Sequence, residues 1–113
     1  METLGKGLCL WDFYLTGEPL LVDDNKFPTV EECRGKILFT HIPSPDVVLY
    51  MSDALAVVAE TGGVLCHAAV LALELGCPII VAAEGVIAKV NGKKEVSLQG
   101  LDGQGIIYAK ETL

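Results

Sequence analysis

The feature of this chain best suited to chemistry is a histidine that follows two glycines at the start of a predicted helix. Gly62 and Gly63 lead into the helix, and His67 lies in its first turn. Unpaired backbone N–H groups at a helix start, together with the positive end of the helix dipole, attract anions. A nucleophilic imidazole nitrogen beside such a site predicts that His67 accepts a phosphoryl group, with Gly62 and Gly63 allowing close backbone approach to phosphate.

Other interpretations of these residues stay open. His67 could bond a backbone carbonyl at the helix start, and the glycine pair could serve only a loop that needs positive φ. Cys66 precedes His67 directly, and adjacent residues do not face each other on a helix, which argues against a Cys–His nucleophilic pair. A thiol at a helix start keeps a redox-sensing role as a third possibility.

A long motif surrounds the histidine and resembles that of a known family. It runs without a break as Gly62-Gly63-Val64-Leu65-Cys66-His67-Ala68-Ala69-Val70-Leu71-Ala72-Leu73-Glu74-Leu75-Gly76-Cys77-Pro78. This run resembles the mobile, or swivelling, phosphohistidine domain of the phosphoenolpyruvate-utilising enzymes. That family includes pyruvate phosphate dikinase, phosphoenolpyruvate synthase and rifampin phosphotransferase. The similarity extends over nearly the whole chain and is strongest from Gly35 onward.

The resemblance implies an α/β, three-layer β/β/α swivelling domain over residues 1–113, with a mostly parallel central sheet and flanking hairpins. It implies that His67 is the catalytic phosphoryl acceptor and that Cys66 supports the bound phosphate. It also implies partner subunits that bind a nucleotide and pyruvate or phosphoenolpyruvate. Mg²⁺ and ATP or phosphoenolpyruvate would be held on those partners, with no cofactor on this chain. We therefore expect a stand-alone phosphocarrier.

Four positions depart from the family pattern. Leu73 stands where an arginine is usual, and arginine suits bidentate contact with phosphate. Ala82 and Ala83 replace the usual glycine and small hydroxyl residue, and Leu65 replaces the commoner hydroxyl residue. These changes leave a second hypothesis open, in which a non-catalytic regulatory or interaction module keeps the fold without phosphotransfer.

Composition restricts the class of protein. The chain has 113 residues, of which 51% are apolar and 20% charged, as expected for one globular domain. A net charge of −7 argues against nucleic acid or an anionic membrane as the main partner. No apolar run approaches the roughly 20 residues that span a bilayer, and the N-terminus lacks a signal-peptide pattern, so we expect a cytoplasmic location. The oligomeric state stays open.

The remaining titratable and thiol residues show no metal-binding spacing. The four cysteines lack a Cys-x-x-Cys pattern, which predicts reduced, buried thiols at Cys9, Cys33, Cys66 and Cys77 and no metal site. His41 is interpreted as a loop histidine without a partner. Glu60 and Glu74 flank the motif, and Glu74 is interpreted as a solvated or paired helix charge.

The predicted elements alternate between strands and helices. Two strands flank a turn at residues 16–19, and a helix begins at Ser44 and runs to about residue 52. A buried helix is predicted over 67–75 and ends at Gly76. In the chain it lies between two apolar strands, predicted over 55–59 and 79–82. Asn91-Gly92 predicts a hairpin turn, and the last strand pair covers residues 95–99 and 105–109.

Overall fold

The computed structural model describes residues 2–23 and 25–110. Within these residues there are seven strands and four short helices, and each helix lies between two strands in the chain. The strands are β1 Thr3–Cys9, β2 Phe13–Leu21, β3 Lys36–Thr40, β4 Ala56–Ala59, β5 Ile79–Val81, β6 Val96–Leu101 and β7 Gln104–Ala109. The helices are α1 Val30–Cys33, α2 Pro45–Val48, α3 His67–Leu75 and α4 Val86–Val90.

All seven strands belong to one closed mixed sheet with the order β1-β5-β4-β3-β2-β6-β7. The pairs β2–β3, β3–β4 and β4–β5 are parallel, whereas β1, β6 and β7 join the sheet through antiparallel pairs. The predicted α/β class is confirmed. The strands expected as separate flanking hairpins are instead hydrogen-bonded into the same sheet, so only part of that sheet is parallel.

β3, β4 and β5 are buried on both faces, as is typical of strands made of continuous apolar runs. Ile37, Phe39 and Val58 face the interior of the closed sheet, where they pack with residues of β6 and β7. Leu38 and Val57 face outward and pack under α2 and α3. The side chains alternate because successive residues of a strand point to opposite faces. α1, α2 and α3 thereby lie against the outer face of the parallel strands, whereas Val86 and Val90 of α4 pack in the interior core.

The predicted turn at residues 16–19 is wrong, because β2 runs unbroken through it. β2 pairs with β6 over its first half, as in Thr16 opposite Ser97, and with β3 over its second half, as in Pro19 opposite Ile37. Gly17 lies where the strand changes partner, and a Cβ there would lie 2.7 Å from Cδ2 of Leu55. The glycine and proline that suggested a turn therefore mark a close contact and a change of partner.

Two other local predictions need correction. The helix expected from Ser44 to residue 52 is limited to α2, with turns following it, although Ser44 is its N-cap and Pro45 its first residue. Asn91-Gly92 does not form a hairpin turn but ends α4, which was not predicted. The hairpin turn lies at Asp102-Gly103, where both residues have positive φ (52° and 84°), as a two-residue turn of this kind requires.

In the part of the chain that the structure describes, no helix has the length and apolar character needed to cross a membrane.

Candidate functional site

The start of α3 places His67 as the first residue of the helix, as predicted. Cys66 is the N-cap, has extended backbone angles (φ −67°, ψ 157°) and makes no capping bond with its side chain. The first helical hydrogen bond runs from the Val70 N–H to the Cys66 carbonyl at 3.1 Å. The N–H groups of His67, Ala68 and Ala69 have no acceptor among the described residues. A cluster of three backbone donors thus lies at the positive end of the helix.

The His67 side chain is exposed, and the helix that carries it is held by small residues. Ala68, Ala69 and Ala72 are the buried residues of α3. They pack with Val57 of β4 in the outer core, the apolar cluster between the outer face of the sheet and the helices. Short side chains at these positions allow close packing of the helix on the sheet. Gly76 ends the helix in the left-handed conformation at φ 70°. His67 therefore lies at the accessible end of a rigidly packed helix.

The two glycines before α3 differ in what they require. Gly62 has φ 99°, and a Cβ at this position would lie 2.8 Å from Cγ of Pro43 and 3.7 Å from Sγ of Cys66. Gly63 has no positive φ and open space where a Cβ would be. Gly62 is thus needed for the fold of the turn itself, whereas the packing within the chain gives no reason for glycine at position 63.

A pair of side chains beside this turn was missed by the sequence analysis. His41 follows β3 and Glu60 follows β4, and the two strands are parallel neighbours. His41 Nδ1 lies 2.9 Å from Oε1 of Glu60, so His41 has the partner that it was expected to lack. The signal was present in the sequence, because residues that directly follow two neighbouring parallel strands meet at the same edge of a sheet.

Ala82, one of the departures from the family pattern, has a backbone conformation that favours glycine. It follows β5 with φ 58°, a left-handed conformation that favours glycine. Its N–H donates to the carbonyl of Thr61 at 3.3 Å, which ties this turn to the turn before α3. The backbone therefore keeps a shape suited to glycine although the residue is alanine.

Three exposed apolar side chains lie on α3 and just before it. Leu65 is 88% exposed, and Leu73 and Val70 are 56% and 42% exposed on the outer face of α3. The prediction of a helix buried all round is wrong, since only the alanine side of α3 is covered. We call Leu65, Val70 and Leu73 the apolar rim of the site. Exposed apolar residues grouped in this way are typical of surfaces that contact another molecule.

All four cysteines are free, as predicted, and three of them are buried. Burial raises the pKa of the Cys77 thiol to about 11. Burial also raises the pKa of Cys33 and of Cys9, to which the nearby carboxylates of Glu32 and Asp12 add. These three thiols are therefore poor nucleophiles near neutral pH. Among the described residues, no group of three or more His, Cys, Asp or Glu side chains could hold a metal ion.

The chain is similar to one known protein family and to several curated proteins. The model of the family described as PEP-utilising enzyme, mobile domain, matches residues 32–103. A phosphoenolpyruvate synthase from Aeropyrum pernix is 37% identical over 86 residues, which cover 72% of this chain and 10% of that protein. The phosphoenolpyruvate synthase of Aquifex aeolicus is 33% identical over 104 residues, covering 91% of this chain and 12% of that protein.

A protein named pyruvate kinase from Geobacillus stearothermophilus is also similar, with 35% identity over 85 residues that cover 71% of this chain and 14% of that protein. The chain thus spans about a tenth of the length of the curated relatives that it matches.

Proposed function

Because this chain belongs to the family of PEP-utilising enzyme mobile domains, we propose that it is a phosphoryl carrier with His67 as the acceptor. The observation that carries the proposal is the position of His67, an exposed imidazole at the first residue of a helix whose first-turn N–H groups are unpaired. A phosphoryl group bound to His67 lies beside these donors. Both the backbone and the helix dipole then stabilise its negative charge.

The proposed transfer consists of two displacements at phosphorus. A lone pair of a His67 nitrogen attacks the phosphoryl group, an N–P bond forms, and the bond from phosphorus to the donor's leaving oxygen breaks. In the second step an acceptor attacks phosphorus, and the electron pair of the N–P bond returns to the imidazole. Such transfers depend on in-line placement and on charge neutralisation. The backbone at Gly62 and Gly63 and the Cys66 thiol contact phosphoryl oxygens in this proposal.

The curated relatives are much longer than the segment that this chain matches, and we infer the partners from their additional length. We assign the donor, ATP or phosphoenolpyruvate, and the Mg²⁺ that accompanies it to nucleotide-binding and pyruvate- or phosphoenolpyruvate-binding partners, with no cofactor on this chain. The apolar rim supports docking on such partners, since three exposed apolar side chains lie on or just before the helix that begins with His67. In this proposal the domain swivels or diffuses between the two partner sites and carries the phosphoryl group on His67.

A labelling experiment tests the proposal. The donor is a phosphoenolpyruvate synthase from which the corresponding segment has been deleted, supplied with its labelled substrate. We expect an acid-labile, base-stable phosphate on His67 of the wild-type chain and none on a His67→Ala variant. A Glu74→Gln variant, altered on the same exposed face, is the control that keeps labelling. Full labelling of His67→Ala would refute the assignment.

A regulatory module without phosphotransfer is the second candidate, and Leu73 is the observation that favours it. Leu73 is exposed on the helix that carries His67 and offers no charge to a phosphoryl group. An inert wild-type chain together with a Leu73→Arg variant that is labelled on His67 would support this candidate. Labelling of both proteins would support the carrier.

A further inference from the structure

Glu60 uses both of its carboxylate oxygens within the protein. Oε1 lies 2.9 Å from Nδ1 of His41, and Oε2 accepts the backbone N–H of Ile87, in the first turn of α4, at 3.1 Å. Its side chain is only 14% exposed, so these two contacts compensate for lost hydration. Since a carboxylate only accepts hydrogen bonds, the proton of this contact belongs to Nδ1 of His41.

His41 is also fixed through its main chain. Its carbonyl accepts the N–H of Thr61 at 3.1 Å and the hydroxyl of Thr61 at 3.0 Å. With its main chain and Nδ1 both held, the imidazole has one remaining polar atom, Nε2. The His41 side chain is 56% exposed, so this nitrogen belongs to a ring that solvent reaches. A carboxylate behind one imidazole nitrogen orients the ring and fixes which nitrogen is available.

The pair lies next to the turn that carries the proposed phosphoryl acceptor. Thr40 is opposite Ala59 in the parallel register of β3 and β4, which brings His41 and Glu60 to the same edge of the sheet. From there the two segments converge at Gly62, where a Cβ would be 2.8 Å from Pro43 and 3.7 Å from Cys66. Pro43 lies two residues after His41, and Cys66 directly precedes His67. The segments that carry the two histidines therefore meet at Gly62.

On the basis of the proposed function, we infer that His41 is a further phosphate-binding residue of this site and that Glu60 is its positioning residue. The ligand is the phosphoryl group delivered to His67. Nε2 of His41 takes a proton from solvent and donates it in a hydrogen bond to a phosphoryl oxygen, and Glu60 balances the positive charge that this proton brings. No bond between His41 and phosphorus forms. Charge-assisted hydrogen bonds of this type are the strong ones, and they supply a cationic contact that Leu73 does not.

Two substitutions at His41 separate binding from structure. The side-chain N–H of His41→Asn can take the place of Nδ1–H toward Glu60, but the variant has nothing at the position of Nε2. The amide of His41→Gln reaches toward the position of Nε2. We expect His41→Asn to lower the rate at which phosphoramidate, a chemical donor that needs no partner, phosphorylates His67 by about tenfold, at unchanged thermal stability. His41→Gln should recover part of that loss.

The positioning role of Glu60 has its own matched comparison. Glu60→Gln and Glu84→Gln remove the same charge, and Glu84 is an exposed residue of the turn before α4. We expect the first variant to slow phosphorylation of His67 and the second to behave as the wild type. Equal rates for His41→Asn and the wild type would overturn the inference, and so would phosphate that accumulates on His41 itself.

A binding measurement keeps this inference separate from the carrier proposal. In a His67→Ala variant, inorganic phosphate should shift the ¹⁵N resonance of His41 Nε2 in a saturable manner, and the additional change Glu60→Gln should weaken that shift severalfold. An unresponsive Nε2 would refute the role of His41. A wild-type chain that is never labelled on His67 by a donor protein would refute the carrier proposal, whatever His41 binds.

Discussion

Ala82 holds a backbone conformation that an L-amino acid adopts at a cost. Its φ of 58° places it in the left-handed region, in the turn that links β5 to the segment before α4. A left-handed φ costs a residue with a Cβ roughly 1–2 kcal/mol. Glycine avoids this cost, but its greater conformational freedom in the unfolded chain offsets part of the gain in stability. We expect Ala82→Gly to raise the free energy of unfolding by about 0.5–1 kcal/mol, measured by urea denaturation.

Ala83 gives the matched control for this prediction. It is fully buried in the interior core and has no positive φ, so Ala83→Gly removes a packed methyl group without relieving strain. Its free energy of unfolding should fall by about 1–2 kcal/mol. A loss of stability in both variants would show that the turn at Ala82 is not strained.

Single residues were predictable where a local motif names them. His67, Cys66 and the glycines lie within six positions, and local spacing placed them at the helix start where the structure has them. The contact between His41 and Glu60 joins residues 19 positions apart. That each residue directly follows a strand is visible in the sequence, but the contact also depends on the parallel register of the two strands, which a single sequence does not specify.

At the scale of elements, the turn between β4 and α3 contains one glycine that the fold requires, Gly62, and one that it does not, Gly63. Gly63→Ala adds a methyl group into open space, so its free energy of unfolding should stay within about 0.5 kcal/mol of the wild type. If a phosphoryl group approaches the backbone there, the same methyl group should slow the phosphorylation of His67 by about tenfold or more. Chemical denaturation and the phosphoramidate reaction measure the two effects separately.

Gly62→Ala is the comparison within the same turn. It combines positive φ with a Cβ 2.8 Å from Pro43, so it should lose about 1–3 kcal/mol of stability whatever the function of the turn. If Gly63→Ala reacts at the wild-type rate, close approach of phosphate to the backbone at Gly63 is refuted, and only Gly62 is required, for the fold of the turn.

The elements themselves were predictable in proportion to how local their causes are. α3 has its predicted bounds, because an N-terminal motif and Gly76 define both ends. The turn predicted within β2 is absent from the structure. Gly17 and Pro19 are turn residues by local preference, but here they lie in a strand that changes partner. The tertiary contact of Gly17 with Leu55 overrides that preference.

At the scale of the whole molecule, closure of the sheet was beyond the sequence analysis. It depends on the pairing of β1 with β7, in which Lys6 lies opposite Ile106, and on the pairing of β1 with β5. These contacts join distant parts of the chain and leave no local pattern. The consequence is an enclosed interior core and an outer core, with thiols distributed between both.

Those buried thiols predict how the stability of the whole fold depends on pH. Below about pH 9 the thiol of Cys77 is protonated in the folded and the unfolded chain, whose reference pKa is 9.0. Between pH 9 and about 11 the unfolded chain loses this proton and the folded chain keeps it. The unfolded state then binds fewer protons, so stability falls as the pH rises. The raised pKa values of Cys9 and Cys33 act in the same direction.

Comparison with a Cys77→Ala variant isolates the largest contribution. The variant loses packing at every pH, but it lacks the thiol whose ionisation favours unfolding. The difference in free energy of unfolding between the wild type and the variant, measured in urea with a reductant present, should change by about 2–3 kcal/mol in favour of the variant between pH 8 and pH 11. The other titrating groups are common to both proteins and cancel in the difference. Parallel pH profiles would show that Cys77 ionises as readily in the folded protein as in the unfolded chain, and that the outer core admits water beside α3.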